Sequence, residues 1–135
     1  MKHIKLLLIC ILGLMLSSCH DEMFNTLKGK EFRLETSTND FYIQYDFDTK
    51  KDIVIWRSYD QYGTIKRIEH WHEYETVGTE IKLYLYRSNT QYASGKETEA
   101  DLKYSGWKDK PTSTLQYHET YLIDKEGNKY ILHKR

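Results

Sequence analysis

The sequence predicts an all-β protein, an eight-stranded antiparallel up-and-down barrel that follows a cleaved leader. Three observations support this class. Twelve tyrosines, three tryptophans and four phenylalanines accompany a single proline, and aromatic residues favour strands. Apolar and polar residues alternate with period two after residue 30, whereas no window there shows helical periodicity. The breaks between these segments are mostly hairpin-length, which pairs neighbouring strands antiparallel and gives an up-and-down barrel.

The first element is a secretory leader. Two lysines and a histidine precede an apolar run of eleven residues at 6–16, interrupted only by Gly13. A bilayer span needs about twenty apolar residues, so this run is typical of a signal peptide. Leu16-Ser17-Ser18-Cys19 resembles the lipobox of bacterial lipoproteins, which implies that Cys19 receives a diacylglyceryl group and becomes the new N-terminus. We therefore predict a signal peptide at 1–18, a lipidated tether at 19–26 and a barrel domain at 27–135.

Composition excludes several classes of function. Twenty Lys and Arg balance twenty Asp and Glu, and loss of Lys2 and Lys5 with the leader leaves the mature chain slightly acidic. This balance argues against nucleic acid, which requires a basic face. Cys10 leaves with the leader and Cys19 is alkylated, so the mature domain has no free thiol for disulfides, nucleophilic catalysis or metal ligation.

Eight strands are predicted between the turn-forming segments. They cover residues 31–36, 41–47, 53–59, 64–75, 80–88, 98–108, 112–123 and 129–134. The longest gap, at 88–97, is predicted to be a flexible rim. In the seventh strand two sets of residues compete for the interior, and a one-residue slip would exchange them. One set is Leu115, Tyr117 and Tyr121, and the other is Gln116, His118, Thr120 and Leu122.

Turn positions predict which residues face inward. A two-residue turn at Val77-Gly78 sets Tyr74 opposite Ile81, Glu73 opposite Lys82 and Trp71 opposite Tyr84. A turn over 60–63 sets Ile55 opposite Ile68 and Trp56 opposite Arg67 on the outer face. Phe41, Ile43, Tyr45 and Phe47 continue the inner apolar face in the neighbouring strand.

The chain resembles the small lipocalin-like lipoproteins of Bacteroidetes. The resemblance is carried by the lipobox, by the opening Leu27-Lys28-Gly29-Lys30-Glu31-Phe32 and by the terminal hairpin over 124–128 that precedes Tyr130-Ile131-Leu132. The opening departs from the Gly-x-Trp start of that family, because Trp is missing and Phe32 lies one residue late. The resemblance implies a lipocalin-like barrel with an open mouth and no assigned chemistry.

Five residues are predicted to form polar points on an otherwise apolar inner wall, which is the composition of small-molecule sites. They are Tyr45, Arg57, His70, His72 and Tyr74. The alternative is that their long side chains simply reach towards the barrel mouth. His70 and His72 share a strand face, but a zinc site needs a third ligand, for which His118 is the candidate. We predict no metal, no cofactor and no catalytic residues, since no nucleophile elbow, phosphate loop or His-Glu-x-x-His motif occurs.

Three hypotheses for function follow. The first is a non-enzymatic binding module for a small apolar or amphipathic ligand, held on the outer membrane through Cys19 and facing the cell surface or the periplasm. The second is an inhibitor or immunity-type lipoprotein that binds a partner protein through rim loops or an outer aromatic patch. The third is a metal-assisted hydrolase that uses His70 and His72.

Overall fold

The computed structural model describes residues 26–101 and 111–134, and within these ranges no helix is long and apolar enough to cross a membrane. Cys19 and residues 102–108 of the predicted sixth strand lie outside the described residues. Nine strands follow one another along the described chain: β1 (Glu31–Leu34), β2 (Phe41–Phe47), β3 (Ile53–Asp60), β4 (Ile65–Val77), β5 (Glu80–Tyr92), β6 (Glu97–Asp101), β7 (Ser113–Tyr117), β8 (Tyr121–Asp124) and β9 (Lys129–Lys134).

Eight of these strands close into an antiparallel barrel. The ring runs β1-β2-β3-β4-β5-β7-β8-β9 and closes through the pairing of β9 with β1. The predicted fold class, an eight-stranded antiparallel barrel, is confirmed. Closure leaves every strand in the ring with a partner on both sides, which removes the exposed edges of an open sheet.

The ninth strand, β6, pairs with the second half of β5. The first half of β5 pairs with β7, as Ile81 opposite Leu115, whereas the second half pairs with β6, as Ser88 opposite Ala100. The prediction of a flexible rim at 88–97 is therefore wrong. A hairpin forms there because Gly95 supplies a positive φ of 93° and the Tyr92 amide bonds the Lys96 carbonyl at 2.9 Å.

The core lies inside the barrel and takes residues from all eight ring strands. Fully buried members include Phe32, Val54, Ile81, Leu83, Leu115 and Leu122. Aromatic side chains pack edge to face across neighbouring strands, with ring centroids 5.9 Å apart for Phe32 and Phe47 and 5.2 Å apart for Phe47 and Tyr74. The predicted inner face of β2 is confirmed for Ile43, Tyr45 and Phe47, while Phe41 is 45% exposed at the strand end.

The β4–β5 hairpin keeps the predicted faces but not the predicted pairs. Tyr74 lies opposite Leu83, and Glu73 lies opposite Tyr84, because the turn is Gly78-Thr79 and not Val77-Gly78. This turn places Gly78, with φ of 60°, at the first central position, where a type II′ turn requires glycine. A shift of two residues leaves each side chain on the same face.

The register of the β3–β4 hairpin differs from the predicted register by an odd number of residues. The inward-facing and outward-facing residues of β3 are therefore exchanged. Ile55 lies opposite Trp71, not Ile68, and Trp56 lies opposite His70, not Arg67. Val54 and Trp56 therefore face inward, contrary to the prediction. The cause is a wide turn in which the Asp60 carboxylate lies. Its Oδ1 accepts a hydrogen bond from the Tyr62 amide at 3.1 Å. Its Oδ2 lies only 2.7 Å from the position that a Cβ at residue 63 would occupy, so there is room there for glycine alone.

The predicted seventh strand is two strands, β7 and β8. Glu119 adopts a left-handed φ of 59° in the turn between them, and the His118 amide bonds the Tyr121 carbonyl at 2.9 Å. Leu115 and Tyr117 face inward on β7, and Leu122 faces inward on β8. The turn therefore resets the alternation, which is why a single continuous strand could not place both sets inside.

Candidate functional site

Four of the five predicted site residues lie on the inner wall. Tyr45 and Tyr74 belong to the core, and His70 and His72 alternate with the outward-facing Trp71 along β4. The prediction is wrong for Arg57, which lies on the outer face because it alternates with the inward-facing Trp56. The predicted set is therefore split between the two faces of the sheet.

The inner wall contains a group of aromatic nitrogen heterocycles, which we call the His–Trp cluster: Trp56, His70 and His72. Trp56 and His70 are directly opposite on β3 and β4, and their rings stack with centroids 5.0 Å apart and an interplanar angle of 28°. The His72 ring lies two residues further along β4, 6.5 Å from the His70 centroid and nearly perpendicular to it. Alternation along β4 therefore puts both imidazoles on the inner face of the sheet, with His70 stacked on the Trp56 indole.

Both imidazoles are neutral at pH 7. His72 is 6% exposed, and burial together with the nearby His70 lowers its pKa to about 4. Burial also lowers the pKa of His70, which is only half-buried. The Nδ1 atom of His72 is buried and has no hydrogen-bond partner in the described part of the chain. A buried polar atom that is left without a hydrogen bond typically costs about 1–3 kcal/mol of folding stability.

A second polar group, Tyr45 and Tyr130, begins at Tyr45, which lies directly opposite Trp56 on β2. The Tyr45 and Tyr130 rings meet edge to face with centroids 4.9 Å apart, and the Tyr130 hydroxyl donates to Asp124 Oδ2 at 3.2 Å. Burial and the Asp124 carboxylate raise the pKa of Tyr130 to about 12, and burial raises the pKa of Tyr45 further. Both phenols are therefore neutral hydroxyls at physiological pH.

Tyr74 belongs to the packed part of the interior. Its ring contacts Phe47, and the Lys28 ammonium lies 5.6 Å from its centroid. Burial raises the pKa of the Tyr74 hydroxyl, so this phenol is also neutral. These contacts assign Tyr74 to the core that supports the wall.

Arg57 holds together a charged network on the outer face. Its guanidinium donates to Asp46 and, at 2.8 Å, to Glu69 Oε2. Gln44 extends the network, since its amide donates to Asp46 Oδ1 at 2.7 Å. Burial raises the pKa of Asp46, against the opposing effects of Gln44 and Arg57.

The described residues include no group of three or more His, Cys, Asp or Glu side chains arranged to hold a metal ion. His118, the candidate third ligand, instead stacks on Tyr121 across the β7–β8 turn, with centroids 4.6 Å apart. The metal-assisted hydrolase therefore gains no support from these residues.

The described chain is thus a small closed β-barrel with neutral polar and aromatic groups on its inner wall. A barrel of eight strands is wide enough to be filled by side chains or to hold one small ligand. Comparisons with protein-family models, with curated proteins and with solved structures found no match to this chain. The resemblance to lipocalin-like lipoproteins stays a prediction.

Sequence reasoning missed Trp56 and Tyr130 as inner-wall residues. Trp56 was placed outside by the wrong β3–β4 register. It could have been found by taking Val54 and Trp56 as the inward-facing residues of β3, because that choice places a tryptophan opposite His70. Tyr130 follows the predicted turn over 124–128, and the register observed there sets it opposite Leu122. It was missed because no inward face was assigned to the last predicted strand.

Proposed function

We propose that this chain is a lipid-anchored, non-enzymatic binding protein that holds a small apolar or amphipathic ligand against the inner wall of its barrel. The observation that carries the proposal is the His–Trp cluster. Trp56 and His70 present stacked, partly buried ring surfaces, and His72 adds a buried nitrogen without a partner. An apolar wall with a few convergent polar atoms is the usual composition of a small-molecule site.

The properties of the cluster define the ligand class. The surrounding wall is apolar and its phenols and imidazoles are uncharged, so the interior favours a ligand without net charge at its buried end. A flat or ring-containing apolar body fits the stacked surfaces. One hydrogen-bonding group on the ligand would satisfy His72 Nδ1, which donates or accepts according to its tautomer.

Ligand binding is tested by thermal unfolding of the full chain in detergent with a panel of fatty acids, sterols, quinones and neutral glycolipids. A ligand at one hundred times its Kd raises the stability of the folded chain by about 2.7 kcal/mol. We expect at least one ring-containing amphiphile to raise Tm, and the Trp56→Leu variant to lose that increase. Trp71→Phe is the matched control, because Trp71 faces outward on the neighbouring strand.

Two results would contradict the binding proposal. One is an unchanged Tm across the whole panel. The other is a ligand-induced increase that Trp56→Leu retains in full, since that ligand would bind elsewhere on the chain.

The lipid anchor is a separate part of the proposal and rests on the leader and Cys19. Cells that express the parent chain should incorporate radioactive palmitate into it, and the Cys19→Ala variant should not. Equal incorporation by both chains would refute the anchor and leave the barrel proposal untouched. Attachment of two or three acyl chains, each methylene contributing about 0.8 kcal/mol, is sufficient for stable membrane association.

A further inference from the structure

A row of four side chains crosses the outer face of β1 to β4. Strand order and register place Tyr59 between Tyr42 and Arg67, whereas Arg33 pairs with Gln44 and its side chain reaches Tyr42 diagonally. The Arg33 guanidinium lies 4.3 Å from the Tyr42 ring centroid, and the Tyr42 and Tyr59 rings stack with centroids 5.0 Å apart. The row therefore alternates cation, two stacked phenol rings and cation.

Arg67 differs from the other described arginines in having no side-chain acceptor. The acceptors of the other three are Gln44 for Arg33, Asp46 and Glu69 for Arg57, and Glu99 for Arg87. Arg33 and Arg87 also cover aromatic rings. By contrast, Arg67 Nε is buried and has no hydrogen-bond partner among residues 26–101 and 111–134. The described part of the chain thus holds one guanidinium with an unsatisfied, buried donor beside an aromatic stack.

Two acidic side chains close to Arg67 already have partners. Glu69, the next outward-facing residue on β4, is bonded by Arg57, and Asp60 accepts the Tyr62 amide in the adjacent turn. Neither carboxylate bonds Arg67. A ligand that supplied a carboxylate would therefore meet a cation whose donors are not satisfied within the described chain.

We propose that Tyr59, Arg67 and Gln91 form an outer-face site for a saccharide whose ring carries a carboxylate, such as a hexuronic acid unit in a glycan. A guanidinium presents its donors in a fork that matches the two oxygens of a carboxylate. Gln91 lies directly opposite Arg67 on β5 and offers an amide that both donates to and accepts from hydroxyl groups. The Tyr59 ring supplies a flat surface against which a sugar ring can pack.

This site lies on the opposite face of the sheet from the His–Trp cluster and does not depend on the interior ligand. It also differs from the His–Trp cluster in the charge of the ligand it would bind. The interior favours uncharged ligands, whereas the outer row combines an aromatic surface with a free positive charge. Loss of one site would leave the other intact.

The experiment is calorimetric titration of the full chain in detergent with an oligomer of four galacturonic acid units. Its fully methyl-esterified counterpart keeps the sugar rings and removes the charge. We expect the acid to bind and the ester to bind at least about tenfold more weakly, since a charge-assisted bidentate bond accounts for that much affinity. Arg67→Gln and Tyr59→Leu should each reduce affinity for the acid by about tenfold or more.

Two variants and one further ligand make the result specific. Lys82→Gln removes one positive charge from the outer face of β5 and should leave affinity unchanged. Arg67→Lys keeps the charge but loses the fork, so it too should bind the acid more weakly; it replaces Arg67→Gln if that variant has a lowered Tm. Four results would each overturn the proposal. The acid does not bind, or the acid and the ester bind with equal affinity. Both Arg67 variants keep the affinity of the parent, or an oligoglutamate of the same charge binds as tightly as the acid.

Discussion

Acidification should destabilise this barrel through the buried imidazole of His72. The side chain is 6% exposed and its Nδ1 has no partner in the described residues, so it is held in the neutral form. Burial lowers its pKa from 6.5 to about 4. Below pH 6.5 the unfolded chain takes up a proton at His72 that the folded chain does not. The unfolded state therefore binds more protons, and stability falls as the pH falls towards 4.

The size of the effect follows from the two pKa values. At pH 7 both states are mostly neutral at this position, and the contribution to the pH dependence is small. At pH 5 the unfolded imidazole is charged while the folded one is still mostly neutral, which lowers the free energy of unfolding by about 2 kcal/mol relative to pH 7. A small domain is stable by only about 5–15 kcal/mol, so this loss is measurable.

Urea unfolding followed by circular dichroism at pH 7 and pH 5 measures the loss. The His72→Leu variant removes the titrating group and should lose about 2 kcal/mol less than the parent between the two pH values. Subtracting variant from parent cancels the contribution of groups that do not interact with His72, such as Asp46, and leaves the joint contribution of His72 and its neighbour His70. His133→Leu, at an exposed position, is the control and should behave as the parent. The reasoning is refuted if His72→Leu is destabilised by acid as much as the parent.

The remaining predictions concern stability and are tested by urea unfolding at pH 7. Arg57→Ala leaves two partly buried carboxylates without their cation and should lower the free energy of unfolding by about 2 kcal/mol. Arg87→Ala, in a more exposed pair, should lower it by about 1 kcal/mol or less. Equal losses would refute the argument that burial determines the cost. Leu83→Ala opens a cavity in the core and should cost about 2–5 kcal/mol, while Ile131→Ala, at a 43% exposed position, should cost less than about 1 kcal/mol. Glu119→Gly relieves a left-handed backbone conformation and should stabilise the fold by about 0.5–1 kcal/mol; a lower midpoint would show that the Glu119 side chain contributes more than its backbone costs.

The closed barrel could be predicted because the sequence carries its signals locally. Alternation in β2 identified Ile43, Tyr45 and Phe47 as inward-facing, and both ends of that strand were predicted correctly. The β4–β5 pairing was shifted by two residues near the turn and by three beyond the bulge between Trp71 and His72, but the alternation along β4 itself was unaffected. For this reason His70, His72 and Tyr74 were assigned to the interior despite the wrong pairs.

The register of β3 could not be predicted, because it depends on a side chain in the turn. The Asp60 carboxylate caps the Tyr62 amide and widens the turn, and no propensity rule gives the number of residues such a turn holds. The resulting odd shift moved Arg57 outward and Trp56 inward. The β7–β8 break was missed for a similar reason, since Glu119 is an uncommon residue for a left-handed position and gave no glycine signal.

The observed register of β3 is also the one that electrostatics favours. On the inner wall, the position of Trp56 is flanked by Tyr45 and His70, neither of which is charged at pH 7. A guanidinium there would be desolvated without a counter-ion, at a cost of several kcal/mol. Facing outward, Arg57 has two carboxylates, and the indole that replaces it inside gains the stack on His70. One register choice therefore separates uncharged groups inside from paired charges outside.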